Sequence, residues 1–362
     1  MRSTVTGHQG RARHTAVRAA AATVLATALA GGTVLMSAPT ASANPIPTGK
    51  LKVNAPAAVG GAGQPVEFTE TITNTGSQKA DYHLHLRVTS DGQVASDHAI
   101  VIDYRDPAKG TWKSVPLTVD STGGLAYDGE VPRAFEIPAH SSVTLRLRIG
   151  VPMGLPHNGA SNGWVQSVAL ESRLGIGARG AAADIVTKGI KVRNISPSLS
   201  RVPATAVAGG APIEFDAVVK NSTPSNYINV ANTLFVDPHA TVQVRRPNGT
   251  WTTLKKVYKG IPDDNPGVYL QGRDSSLRAN STTTVRVRVS YDATTPLGPT
   301  DIGRCVYVNE SPTTPFRGTT TCTKGATVQI VAPGTKGSTG TKNTTGSKGQ
   351  APVKPAPATK GK

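Results

Sequence analysis

The sequence predicts an all-β protein, two tandem β-sandwiches followed by a disordered basic tail, and three observations predict it. Short apolar runs alternate with polar residues at period two, as in Tyr82-His83-Leu84-His85-Leu86-Arg87-Val88, the pattern of a sheet with one face on a core and the other in water. Turn formers are dense, with 38 Gly and 27 Pro in 362 residues, and no heptad or 3.6-residue pattern persists past the N-terminal segment. Finally, a set of segments recurs in the same order about 140 residues apart, which fixes the number of units better than length does.

The first 43 residues are an address. Arg2, Arg11, Arg13 and Arg18 come without an acid, an Ala-rich apolar run follows to Met36, and Ala41-Ser42-Ala43 closes the segment. A basic start, an apolar stretch and a small-residue site make residues 1–43 a signal peptide cut before Asn44, in preference to a membrane anchor. Beyond Asn44 no apolar stretch approaches the roughly 18 residues of a span. The mature chain is therefore expected to be secreted and extracellular, with no membrane span.

The formal charge of +17 suggests nucleic acid until it is divided. Four arginines fall in the signal and six lysines (Lys336, Lys342, Lys348, Lys354, Lys360, Lys362) fall in the tail, leaving 29 basic against 22 acidic residues between them. A mildly basic, exported body without interleaved aromatics is a poor stacking platform for bases, so nucleic acid is not an expected partner.

The repeat is carried by six ordered matches. Gly63-Gln64-Pro65-Val66-Glu67-Phe68 matches Gly210-Ala211-Pro212-Ile213-Glu214-Phe215, and Asn74-Thr75 matches Asn221-Ser222. Gly110-Thr111-Trp112 matches Gly249-Thr250-Trp251, and Leu145 to Ile149 matches Val285 to Val289. Glu171-Ser172 is matched to Glu310-Ser311, and Thr187-Lys188-Gly189 to Thr323-Lys324-Gly325. The expected units are 44–194 and 195–333, with Arg193 to Pro203 as a short linker. Short strands parted by turns such as Asn248-Gly249, with no intervening helix, favour an immunoglobulin-like topology for each. From residue 334 to 362 the chain is Lys, Gly, Thr, Ser and Pro with almost nothing apolar, a composition that stays disordered.

The Gly-x-Pro-[Val/Ile]-Glu-Phe openings, Thr73-Asn74-Thr75-Gly76, and Tyr104-Arg105-Asp106-Pro107 running on to Thr111-Trp112 resemble the tandem immunoglobulin-like repeats of secreted cell-surface proteins of actinomycete-type bacteria. The resemblance spans roughly residues 50 to 333. It implies that each Trp beside a Gly-Thr turn packs at a sheet edge, and it carries no catalytic motif. No Leu-Pro-x-Thr-Gly sorting motif is present, so attachment through charge is expected in place of a covalent link.

Several residues could carry chemistry. Cys305 and Cys322, with 16 residues between them around a Pro-rich turn, are expected to close a disulfide across a hairpin in an exported chain, with a redox pair or metal thiolates as the alternatives. Arg146, Arg148, Arg286 and Arg288 alternate along matching strands; with the tail lysines they could attract anionic cell-wall polymers, or simply be outward polar residues. Trp112 and Trp251 could stack on a glycan, as in a carbohydrate-binding accessory module, or fill a sandwich corner. Another surface protein is the remaining candidate partner. His83 and His85 share a strand face with Asp81, too few ligands for a metal site. No Gly-x-Ser-x-Gly, Ser-x-x-Lys set or His-Glu-x-x-His occurs, so no enzyme activity, cofactor or metal is expected. The sequence thus favours a non-catalytic structural or binding protein of the cell surface.

Overall fold

The computed structural model describes residues 48–91, 99–120, 126–153, 165–177, 182–258, 265–313 and 318–334. The signal at 1–43 and all six tail lysines lie outside them. The described chain is all-β, with 24 strands and no helix.

In the first half the strands are β1 (Gly49–Asn54), β2 (Ala58–Ala62), β3 (Val66–Asn74), β4 (Ala80–Ser90), β5 (Val101–Arg105), β6 (Trp112–Ser114), β7 (Leu117–Asp120), β8 (Ala126–Glu130), β9 (Phe135–Ile137), β10 (Ser142–Pro152), β11 (Ser167–Ile176) and β12 (Ala182–Arg193). One layer runs β1-β3-β10-β5-β6, and the other runs β2-β12-β11-β4-β8-β7 with β9 on β4. In the second half they are β13 (Ser196–Ser200), β14 (Thr205–Val207), β15 (Ile213–Asn221), β16 (Tyr227–Phe235), β17 (Ala240–Arg245), β18 (Trp251–Thr253), β19 (Lys256–Tyr258), β20 (Gly267–Tyr269), β21 (Ser275–Leu277), β22 (Ser281–Tyr291), β23 (Gly298–Asn309) and β24 (Gly318–Val331). Their layers are β13-β15-β22-β17-β18 and β14-β24-β23-β16-β20-β19, with β21 on β16. Adding twelve to each label carries every first-half pairing onto a second-half pairing, except the short parallel contact of β10 with β2. No strand ladder crosses from β1–β12 to β13–β24.

Period two does the folding work here. Tyr82, Leu84, Leu86 and Val88 are buried while His85 between them is exposed. Phe68 and Leu147 are ladder partners in one layer and meet Leu84, Leu86, Leu170 and Leu174 of the other in one core. Phe215 and Val287 are the equivalent partners, packed with Leu234, Ile302 and Val328.

Four of the six sequence matches occupy equivalent strand positions and two do not. Glu171 lies inside β11, whereas Glu310 follows the end of β23. Lys191 pairs with Ala58 and Gln329 with Thr205, so Thr187 and Thr323 stand two residues out of step. Irregular register in both outer hairpins, at Leu174/Gly175 and at Ile302/Arg304, is the reason that local similarity misleads there. The expected linker is also corrected: Ser196–Ser200 is β13, paired with β15. Only Asn194 and Ile195 separate β12 from β13, and Ile195 is buried.

Ile195 belongs to a third core, in which Ala62 and Met153 of the first half pack with Val219, Tyr227, Val230, Leu277, Val306 and Val308 of the second. Gly60 N donates to Ser225 Oγ at 2.9 Å, and Gln64 N donates to Asn226 O at 2.7 Å. A Cβ on Gly60 would stand 2.3 Å from the Tyr227 hydroxyl and 2.8 Å from Ser225 Cβ, so only glycine permits this approach.

Each half also buries one charge-bearing side chain between its layers. Glu70 of β3 is fully buried and accepts from Ser172 Oγ of β11 at 2.7 Å. In the second half Arg304 of β23 is buried, donating to Asn232 and, at 3.4 Å, to Val218 O of the other layer. The positions correspond. Glu70 faces Leu145 and Ala217 faces Val285, while Ser172 faces Leu86 and Arg304 faces Leu234.

Burial pushes the Glu70 carboxyl from 4.5 up to about 7, against the lowering effect of the Ser172 hydrogen bond. The folded state therefore holds a proton that the unfolded state has released, and Glu70 makes stability fall as pH rises from about 4.5 to about 7. Glu70→Gln should abolish that segment of the profile, matching wild type near pH 4 and exceeding it above pH 7 by on the order of 3 kcal/mol. Thermal unfolding of both proteins across this range checks it; parallel curves would refute the assignment.

Candidate functional site

The outward face of the β3-β10-β5-β6 layer holds the residues that the sequence singles out. Because Leu145, Leu147 and Ile149 point into the core, Arg146 and Arg148 must point out. Arg146 pairs with Glu67. Arg148 Nε donates to Asp103 Oδ2 at 2.7 Å, and Ser114 Oγ donates to the other oxygen at 2.7 Å. The Arg148 guanidinium lies 4.8 Å above the centre of the Trp112 ring.

The second half repeats the arrangement. Arg286 pairs with Glu214 at 3.0 Å and Asp216 at 3.3 Å, and Arg201 joins Asp216. Arg288 Nε donates to Gln243, whose amide donates to Thr253 Oγ1 at 2.9 Å, and Arg288 lies 4.5 Å above the Trp251 ring. Burial raises the Asp216 carboxyl, but hydrogen bonds from Arg201 and Arg286 outweigh it and hold the group below the ordinary carboxylate range.

The structure thus joins two sets of residues that sequence reasoning treats separately. The four arginines are partners of acids, an amide or an indole, and both tryptophans are half-buried with a guanidinium over one face. Such cation–π contacts contribute about 0.5–2 kcal/mol each. The signal for this lies in the repeat itself, since each copy keeps the Arg and the Trp together. Gln243, which stands where Asp103 stands, was not singled out in the sequence.

Cys305 and Cys322 form a disulfide, S–S 2.04 Å. They are directly opposed on β23 and β24, which clips the last hairpin of the second half. A loop of this size stabilises by roughly 3 kcal/mol in a chain-entropy estimate.

His83 and His85 both turn to Glu130, with His83 Nδ1 2.6 Å from Oε1 and His85 Nε2 3.6 Å from Oε2. They lie beside an open cleft of about 470 Å³ lined by Arg87, Asp128 and Arg173. Among the described residues no cluster of His, Cys, Asp and Glu forms a metal cage.

No protein-family model matches the chain, and no curated protein matches it. Among solved structures it is similar to the C-terminal domain of the antigen I/II-family protein AspA of Streptococcus pyogenes, at 10% identity over 77% of this chain and 99% of that one, with a TM-score of 0.29. The C-terminal domain of the AgI/II polypeptide BspA of Streptococcus agalactiae gives 10% identity, 78% and 100% coverage, and a TM-score of 0.28. Red sea bream transglutaminase gives 11% identity over 79% of this chain but 32% of the enzyme, with a TM-score of 0.26. Bacterial domains and an enzyme score alike at this level, so the functional reading rests on the residues of the chain itself.

The two stacks differ in what an Arg deletion leaves behind. Asp103 is 4% exposed, so Arg148→Met leaves a buried carboxylate with Ser114 in place of a cation and should cost about 1–3 kcal/mol. Arg288→Met leaves a neutral amide and should cost less than about 1 kcal/mol. Urea unfolding of the two variants tests this, and equal losses would show that the indole contact outweighs the ion pair.

Proposed function

We propose that the chain is an exported, non-catalytic structural or binding protein of the bacterial cell surface, held to anionic wall polymers by its basic tail. Its halves, 44–194 and 195–333, are read as tandem immunoglobulin-like modules of the actinomycete type. The observation that carries the proposal is the Cys305–Cys322 disulfide in a chain whose N-terminus has the form of a secretory signal, since such bonds persist in oxidising, extracellular settings. The shared pairing plan of the halves supports modular construction. The engagement of Arg146, Arg148, Arg286 and Arg288 in pairs supports a tail-centred attraction. Stacking of a glycan on Trp112 or Trp251 is the weaker reading, because a guanidinium occupies one face of each indole.

Fractionation of producing cells into medium, wall and membrane tests this. The protein is expected in the wall fraction, released by a salt wash, and a chain lacking 336–362 should come off at lower salt. Release of both at the same salt concentration would overturn the role of the tail.

A further inference from the structure

We propose that the open edge of β24, residues 318–323, is a docking surface for a second copy of this chain, the two strands pairing antiparallel about a two-fold axis at Thr321.

A census of the sheet edges carries the inference. A strand with nothing beside it presents unpaired N–H and C=O groups, and proteins protect such edges with short strands, proline, charge or a covering element. Here β6, β9, β14, β18, β19 and β21 are three residues long and β7 is four, while β2 is flanked by β10 and β12. Leu51 N of β1 donates to Asp184 Oδ2 of β12 at 2.7 Å, so those two edges close on each other. Pro197 of β13 faces Val219 as Leu51 faces Ile72, and proline has no N–H to offer there. β24 is different. β14 covers only residues 329–331, and from 318 to 328 no described strand lies on its outer side. The irregularity opposite Ile302/Arg304 and Lys324, the one charge in this stretch, end the regular part. Residues 318–323 remain as an uncharged, proline-free edge made of Gly, Thr and Cys.

Which groups this edge offers follows from the position of the disulfide. Cys305 and Cys322 are directly opposed with Cα atoms 4.1 Å apart, the close spacing of a pair that does not exchange ladder hydrogen bonds. The N–H and C=O of Cys322 therefore point away from β23, and at period two so do those of Thr320. Neither residue makes another backbone hydrogen bond among the described residues. Antiparallel pairing about Thr321 sets Thr320 opposite Cys322 of the partner copy and Cys322 opposite Thr320 of the partner copy, so that these groups satisfy one another. The same register sets Thr321 against Thr321 and Thr319 against Thr323, cross-strand pairs that stabilise a sheet. Lys324 falls opposite Gly318, and no like charges meet.

A second copy fits this edge better than a foreign strand does. Residues 318–323 carry no charged side chain to select another sequence, and a two-fold pairing consumes both open edges at once, leaving none to recruit further chains. The disulfide pins β24 to β23 in the half whose edge is open, whereas the first half, whose edge Asp184 closes, has no cysteine. A six-residue ladder without a buried apolar patch makes a dimer that dissociates on dilution.

Sedimentation equilibrium of the purified protein tests this. Reversible dimerisation is expected at low and at raised salt, since ladder bonds are not ionic. Thr321→Lys and Thr321→Glu each place like charges across the axis and should weaken self-association at least about tenfold, while an equimolar mixture of the two variants should associate at least as tightly as wild type. Thr187→Lys, on the edge strand β12, should change it less than about twofold. In the unsubstituted protein, amide exchange at Thr320 and Cys322 should slow as the dimer forms. A wild type that stays monomeric at its highest soluble concentration, Thr321 variants that dimerise as it does, or a mixture that stays monomeric overturns the inference, as does a dimer in which the Thr320 and Cys322 amides exchange at the monomer rate.

Discussion

One constraint organises the molecule: residues on a strand alternate between a core that is mostly apolar and a face that meets water. In β3 and β10 it sends Phe68 and Leu147 inward as ladder partners, and in β15 and β22 it does the same for Phe215 and Val287. Their polar neighbours are then obliged to face out, where they settle against one another. Arg148, Asp103, Ser114 and Trp112 form one such set, and Arg288, Gln243, Thr253 and Trp251 form its counterpart. These contacts are consequences of the alternation, which explains why they recur while the residues in them vary.

A second consequence appears where the halves meet. Asn74 donates to Gln78 O at 2.8 Å and Ile137 O at 2.9 Å, and Asn221 donates to Ser225 O at 2.8 Å and Arg278 O at 2.7 Å. The turn survives although Asn-Thr-Gly in the first copy is Asn-Ser-Thr-Pro in the second. Its position differs in use, however. Tyr227, which faces Leu277 as Ala80 faces Ile137, reaches over Gly60 into the shared core. Burial there pushes its phenol up to about 12. The joint between the halves is therefore a packed core, to which the two-residue connection contributes the buried Ile195.

Much of this was legible in the sequence, and the failures have physical causes. Alternation identified the strands and the paired motifs identified the copies, because both are local. The linker was misread since Ser196-Pro197-Ser198 has loop composition, yet β13 needs only one partner strand at a sheet edge, where Pro is tolerated. The Arg–Trp stacks were missed because their members are brought together by ladders and not by spacing. The buried charges were missed for a different reason, as their signal was present: Glu70 shares the parity of Phe68 and Ile72, and Arg304 that of Ile302 and Val306. Period two placed both inside, and only the assumption that charges lie outside hid them.

Inward and outward positions have consequently diverged under different rules. Inside, Ala217 stands in place of Glu70 only together with Arg304 in place of Ser172. A buried guanidinium needs the room that a small residue opposite provides, and the carboxylate needs the Ser172 hydroxyl. Outside, Arg246 stands in place of Asp106 in a turn that is also one residue shorter, Arg246 N donating to Thr250 O where Asp106 N donates to Thr111 O. Water screens the new charge, so one turn position can reverse its sign without moving a strand. The fold thus holds its cores by coupled exchanges and leaves its turns open to change one residue at a time.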